Sequence, residues 1–235
     1  MDDRRSAVEV ARHGLCHMIA SGEYDTGQLL PSEAELCARF GVSRSSLREA
    51  QKMLAVAGVL TPRPGSRSAV SEMTPSDIMS GLEMVVPLLP LDRFIEMLSM
   101  RAALEGHMAA LSAARLSEAE CHRLAEVAQE LANTSDPDQA QAIDARFHDI
   151  IIDGAEEPMI AAVLGAIRRR GRDYRLFDSP EHAGLKVVSD DAHRDIANAI
   201  RSRNPGLAQA LATQHVMVTR GWLEGIRPWP TPPSA

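Results

Sequence analysis

The sequence predicts a mostly α-helical protein: an N-terminal winged helix-turn-helix unit followed by an all-α antiparallel helical bundle. Three observations carry this. Apolar residues recur at helical spacing over nearly the whole chain, and Pro, Gly or Asn separate the periodic stretches. The exception is "VLTPRPGSRSAV", two short extended runs around a Pro-Gly tip. Hydrophobic content is 45% but aromatic content only 3%, with 11 Met, which suits a helical core of Leu, Ile, Ala and Met.

Residues 4–20 form the first helical pattern, stopped by "SGEYDTGQLLP". Ser32 and Glu35 fit a capping box that opens the short helix "SEAELCARF". Gly41 suits a tight turn, and Ser43 caps a helix from about Arg44 to Ala57 that stops at Gly58. The hairpin follows, then a linker at 71–77. Helical patterns then run over 76–89, 92–115, 117–133, 137–153, 157–177, 182–203 and 205–225, before a Pro-rich tail, "RPWPTPPSA". The predicted divisions are 1–71 for the winged unit, 72–89 for linker and connecting helix, 90–227 for the bundle and 228–235 for the tail.

Net charge is −7, but it is unevenly spread. From Gly27 to Val70 six basic residues stand against three acidic ones, so this segment is +3 and the rest −10. A locally basic segment on an acidic protein marks a place to look for DNA contact. Cys16, Cys37 and Cys121 are far apart and form no CxxC pair, which predicts a reducing cytoplasm. The longest apolar run, "MVVPLLPL", is short and broken by two prolines, so no membrane span is expected.

In winged helix-turn-helix units the N-terminal part of the second helix enters the major groove. Here that part reads "SRSSLREA". Leu47, Ala50, Leu54 and Ala57 make its buried stripe, and Arg44, Arg48 and Lys52 make a basic stripe on another face. The hydroxyls of Ser43, Ser45 and Ser46, with the free N–H groups of the helix start, suit phosphates. The forks of Arg44 and Arg48 suit guanine edges. Arg63 and Arg67 flank the hairpin tip at Gly65.

The stretch "LLPSEAELCARFGVSRSSLREAQKMLAVAGVLTPRPGSRSAV", residues 29–70, resembles the DNA-binding domain of the GntR superfamily of bacterial transcriptional regulators. The resemblance lies in the Leu-Pro-Ser-Glu opening, the Gly-Val-Ser-Arg turn, the Arg-Glu-Ala that follows and a wing with Gly. It implies DNA contact by Ser43, Arg44, Ser45, Ser46, Arg48 and the wing at Gly65 and Arg67. Ala34 stands where many relatives carry an Arg that touches DNA, so that contact is missing here.

The second half raises a different question. In "IDARFHDIII", Ile143, Phe147, Ile150 and Ile151 form an apolar stripe, and Asp144 and His148 stack one turn apart along its edge. Burying either without a partner costs several kcal/mol. His107, His122, His193 and His215 are the other helical histidines with ligand chemistry. His193 and His215 lie 22 residues apart around the turn signal "NPG" at 204–206. An antiparallel helical hairpin with equal arms brings both to one height. Asp144 and His148 on a third helix then close a four-ligand site. Asp plus three His suits a borderline divalent ion, Zn first, with Ni, Mn, Fe or Co as alternatives. Arg101 has two readings, a helical ion pair with Glu105 or a clamp on an effector carboxylate. Arg146 is read as structural. Arg168, Arg169, Arg170, Arg172 and Arg175 read as a solvated or dimer-facing surface, with at most one reaching a pocket.

Residues from about 90 to 225 resemble the FCD domain, the all-helical effector domain of the FadR subfamily within that superfamily. The marks are "RAALEGHMAALSAARL", "DARFHDIIIDGA", "AHRDIANAI" and "ALATQHV". The metal-binding branch implies Asp144, His148, His193 and His215 as ligands and favours Arg101 as the effector clamp. Glu157 and Asn204 depart from the residues relatives often carry, Asn and Asp, but both lie outside the ligand set. The resemblance implies a cytoplasmic homodimer on a palindromic double-stranded operator, a small carboxylic or sugar acid as effector, and repression that the effector relieves. A metal-dependent enzyme and a regulator with a purely structural metal are the competing readings. An aminotransferase-like branch of the superfamily is excluded because too few residues follow the linker.

Overall fold

The computed structural model describes residues 6–63 and 67–229, which divide into two compact units at Val85/Val86. The first holds α1 (Ala7–Ala20), α2 (Glu33–Phe40), α3 (Arg44–Val56), β1 (Leu60–Thr61), β2 (Ala69–Val70) and α4 (Pro75–Val85). Ser6 and Ser32 cap α1 and α2 with reciprocal capping boxes to Glu9 and Glu35. Gly41 closes α2 at φ 67°, a left-handed conformation that costs a glycine nothing, and the chain reverses there into α3. Leu15, Met18, Leu36, Leu47, Leu54 and Leu60 bury together beneath the three helices. β1 and β2 pair antiparallel with Leu60 opposite Val70, and Leu29 bridges to Ala69. This is the expected winged helix-turn-helix order. The wing tip, residues 64–66 and with it Gly65, lies outside the described residues.

Three expectations need correction here. Ala57 is exposed; the chain has already left the helix there, and it serves as the C-cap of α3. The helix expected over 76–89 stops at Val85, and Pro87 sits in a 3-10 turn, Val86–Leu88. The helix expected over 157–177 stops at Arg172. Tyr174 then turns inward, where its ring meets Phe94 and the Arg170 guanidinium.

The second unit contains α5 (Leu91–Arg115), α6 (Glu118–Asn133), α7 (Pro137–Gly154), α8 (Pro158–Arg172), α9 (Ala183–Arg201) and α10 (Pro205–Ile226). α5 is the central helix, packing against α7, α8, α9 and α10. Asn204 caps α10 through a hydrogen bond from the Leu207 N–H, so the "NPG" turn does join two antiparallel arms. One core gathers Met108, Leu124, Phe147, Leu164 and Ile200; a second gathers Phe94, Leu98, Ile167 and Val216. Among the described residues no helix is long and apolar enough to cross a membrane.

Gly106 sets how closely α5 and α10 approach. A Cβ there would lie 2.3 Å from Thr213 Oγ1 and 3.1 Å from the Gln209 carbonyl oxygen. Thr213 can rotate, but the backbone carbonyl must give way. Gly106→Ala should therefore destabilise the helical unit by about 1–3 kcal/mol, in the range of overpacking, despite the better helix propensity of Ala. Thermal unfolding checks this; an unchanged or raised midpoint would refute it.

Candidate metal and effector site

The site begins with one buried carboxylate. Glu105 on α5 is 5% exposed, and its Oε1 accepts from Arg101 Nε at 2.6 Å and Arg168 Nη1 at 3.0 Å. Its other oxygen lies 3.4 Å from His148 Nδ1. Burial opposes ionisation of Glu105, but Arg101, Arg168 and His148 together outweigh it and hold the carboxyl well below its ordinary range. Arg168 also donates to Asp144 Oδ2 at 3.2 Å, so one guanidinium joins α5, α7 and α8.

The histidines meet above this network. The ring centroids of His193 and His215 are 4.5 Å apart across the α9–α10 hairpin, and His148 of α7 faces both. All three are buried, and their ligand nitrogens lie within 4.8 Å of one another. His148 Nε2 is 3.2 Å from His193 Nε2. Asp144 Oδ1 stands 3.3 Å from His193 Nε2 and 3.7 Å from His148 Nε2. Ligands about 2.0–2.1 Å from a common ion sit roughly 3.0 Å apart at right angles and 3.4 Å apart at the tetrahedral angle. The 3.2 and 3.3 Å separations fall within that range and the 3.7 Å separation lies just beyond it, so the donor set fits a divalent ion after a small inward shift. Without an ion, one of the two facing imidazole nitrogens must carry a proton and donate to the other.

The protonation states suit ligation. Burial, then the field of Arg168, pushes the His148 pKa well below its ordinary value. Burial, then His193, pushes His215 down to about 3. Burial works against the Asp144 anion, but His148, His193 and Arg168 prevail and keep it ionised. Two neutral imidazoles and a carboxylate therefore stand ready at neutral pH.

Asp144, His193 and His215 form part of the wall of a cavity of about 130 Å³ that opens to solvent, and Arg101 also lines it. The two readings of Arg101 thus hold together: it pairs with Glu105 and faces the cavity. The arginine cluster of α8 departs from expectation. Arg168, Arg172 and Arg175 line the cavity, and Arg168 and Arg170 are buried. Arg168 follows the buried Leu164 and Ile167 on one helical stripe, and Glu105 and Asp144 answer its charge. That position on the apolar stripe was the signal to find it. Arg146 pairs with Glu130 at the surface, as a structural residue does.

In the first unit, Ser43 caps α3 by accepting from the Ser46 N–H, and its hydroxyl lies 2.9 Å from those of Ser45 and Ser46. Arg44 and Arg67 are exposed. Arg48 is exposed but engaged: its guanidinium grips Glu33 of α2 through Nε and Nη2, each at 2.9 Å. Reading a base with Arg48 requires release from Glu33.

Two family models match the chain: "Bacterial regulatory proteins, gntR family" over residues 8–70 and "FCD domain" over 96–217. The chain belongs to the gntR family of bacterial regulatory proteins. It carries the FCD effector domain, an architecture consistent with the FadR subfamily. Among relatives of this regulator, the Glc operon transcriptional activator of Escherichia coli is 27% identical over 96% of this chain and 92% of its own. The HTH-type transcriptional repressor NanR of Citrobacter rodentium is 30% identical over 93% of this chain and 86% of its own. A solved Streptococcus agalactiae GntR superposes with a TM-score of 0.58 at 28% identity, covering 91% of this chain and 99% of that one. The protein is a DNA-binding transcriptional regulator rather than an enzyme.

The depressed histidines make metal-free stability pH-dependent. Unfolded imidazoles protonate near 6.5, whereas in the folded chain His215 does so only near 3 and His148 also well below 6.5. In that window the unfolded state holds more protons, so stability falls as pH drops below 6.5. Each such group contributes a slope of up to ~1.4 kcal/mol per pH unit. Chelator-treated protein should melt at progressively lower temperature from pH 7 to pH 5, roughly in proportion to the two groups. His215→Gln should flatten that dependence. A midpoint that does not move with pH would contradict the assignment.

Proposed function

We propose that this regulator binds a palindromic operator as a homodimer in the cytoplasm and represses until a small carboxylic or sugar acid relieves it. Asp144, His148, His193 and His215 hold a divalent ion, zinc first, with Ni, Mn, Fe or Co as alternatives. The bound ion supplies a Lewis-acid centre for the oxygens of the acid. Arg101 clamps the acid's carboxylate, and Glu105 holds Arg101 and Arg168 in place for it. Ser43, Arg44, Ser45, Ser46, Arg48, Gly65 and Arg67 contact DNA, with Arg44 as the principal base reader. Its relatives' names include both an activator and a repressor; the repressor reading follows the family's usual outcome.

One observation carries the metal-and-acid reading: three imidazoles and a carboxylate converge at ligand spacing, and the carboxylate and two of the imidazoles, His193 and His215, lie on the wall of an open, arginine-lined cavity. Four protein ligands leave two positions for the acid where the ion is six-coordinate, and the cavity beside them gives the acid access.

Metal uptake is the direct test. Chelator-treated wild type should take up near-stoichiometric zinc in competition with a chromophoric chelator. His148→Ala and His215→Ala should each lose this uptake while retaining helical circular dichroism. Wild type that takes up no divalent ion under these conditions would end the proposal. For the DNA-binding unit, selection from a random duplex pool should enrich a palindrome with wild type. Arg44→Ala should lose the sequence preference, because a bidentate base contact contributes about 1–3 kcal/mol of discrimination. An unchanged motif would move the reading residue elsewhere.

A further inference from the structure

Five cationic side chains gather on the cavity wall. Arg101, Arg168, Arg172, Arg175 and Lys186 line it, against Asp144, Asp178 and Asp190. Most of these cations have partners. Arg101 and Arg168 meet Glu105, Arg168 also meets Asp144, Arg175 meets Asp138 and Asp178, and Lys186 meets Asp190. Arg172 is different. Its guanidinium is half-buried, and it makes no hydrogen bond or ion pair with any described residue. Burial, and next the repulsion of Arg168, lower its pKa against the attraction of Asp144 and Asp149. A partly desolvated cation without a hydrogen-bonded counter-ion is costly, and a ligand anion relieves that cost.

Two neutral side chains in the same cavity also have unspent polarity. Ser189 is 4% exposed, and its hydroxyl has no partner among the described residues. Gln141 donates its amide N–H to the Arg172 carbonyl at 3.1 Å, which leaves the amide oxygen for a hydroxyl donor. Arg172 follows Arg168 by one helical turn, about 6 Å along α8. Arg168 is bonded to Asp144, so Arg172 lies one turn further from the ligand cluster.

We infer that the effector is a hydroxylated dicarboxylic acid, with one carboxylate at Arg101 and the metal ligands and the second on the Arg172 guanidinium. Ser189 and Gln141 take its hydroxyls. This rests on the metal-and-acid reading above. The pairing pattern supports it: among the described residues Arg101, Arg168, Arg175 and Lys186 each meet a carboxylate, and the Arg172 guanidinium meets none. Arg172 thereby becomes a specificity-determining residue that separates diacids from monoacids of the same length.

The test uses the full-length, zinc-loaded protein and calorimetric titration with three length-matched pairs: tartrate and threonate, xylarate and xylonate, galactarate and galactonate. In at least one pair the diacid should bind at least about tenfold more tightly. Arg172→Met should weaken that diacid about ten- to a hundredfold, the range of a lost charge-assisted hydrogen bond. The matching monoacid should change by less than about twofold on the same scale. Zinc content and melting temperature should stay at wild-type values. Arg172→Lys, which keeps the charge and loses the fork, should retain part of the preference and serves if the Met variant does not fold. Equal affinity within all three pairs, or equal weakening of both acids by Arg172→Met, would overturn the inference while leaving the metal-and-acid reading standing. Zinc-loaded protein that binds neither kind of acid would overturn both.

Discussion

The helical unit is organised around the ionised Glu105 carboxylate. It sits on the central helix, accepts from Arg101 and Arg168, and lies beside His148. A buried carboxylate is expensive, and this one persists because two guanidinium groups stand on it. A buried guanidinium is equally expensive alone. Neither charge is tolerable without the other, so α5 and α8 are held in one relation. Asp144 extends the constraint to α7. Such networks are weak evidence for stability, because desolvation offsets much of the attraction. Their contribution here is positional: they fix Arg101 at the cavity and His148 toward the other imidazoles, the role outer-shell partners play around metal ligands.

That constraint separates the arginines of α8 by function, although they are neighbours in sequence. Arg168 is spent internally on Glu105 and Asp144. Arg170 donates to the Leu89 carbonyl, just before α5 begins, and stacks over Tyr174. Arg172 faces the cavity without an internal partner. A similar division occurs in the first unit, where Arg48 is gripped by Glu33 while Arg44 is exposed. Exposed ion pairs of that kind contribute little, so the grip on Arg48 is no barrier to a phosphate or a guanine edge.

Much of the fold was legible because local signals agreed with one another. The capping box at Ser32, the left-handed Gly41 and the Ser43 cap are each determined within four residues, and the structure places all three as read. The hairpin symmetry around "NPG" predicted that His193 and His215 share one height, because helical rise is regular. What escaped the sequence was non-local. Arg168 looked like one more charge in a basic run. Only the approach of Glu105, 63 residues away, makes a buried position habitable for it. The early end of the eighth helix was hidden for the same reason: nothing near Tyr174 in sequence announces that Phe94 will receive its ring.

The same logic explains why the candidate site reads better from its ligands than from its cavity. Ligands must be of a few chemical types, and two of them share a helix at a spacing of four, so sequence constrains them strongly. A cavity wall is assembled from α5, α7, α8, α9 and α10 together, and any one helix shows only a turn or two of it. Arg172 illustrates the limit. Its meaning lies in what is missing around it among the described residues, a hydrogen-bonded counter-ion, and that appears only when every neighbour has been placed. Its position one turn beyond Arg168 then matters twice. It makes no ion pair with Glu105 or Asp144, although Asp144 still attracts it, and it is close enough to Asp144 for one small molecule to reach both ends. A site built on that offset selects on the distance between two anionic groups rather than on the presence of one.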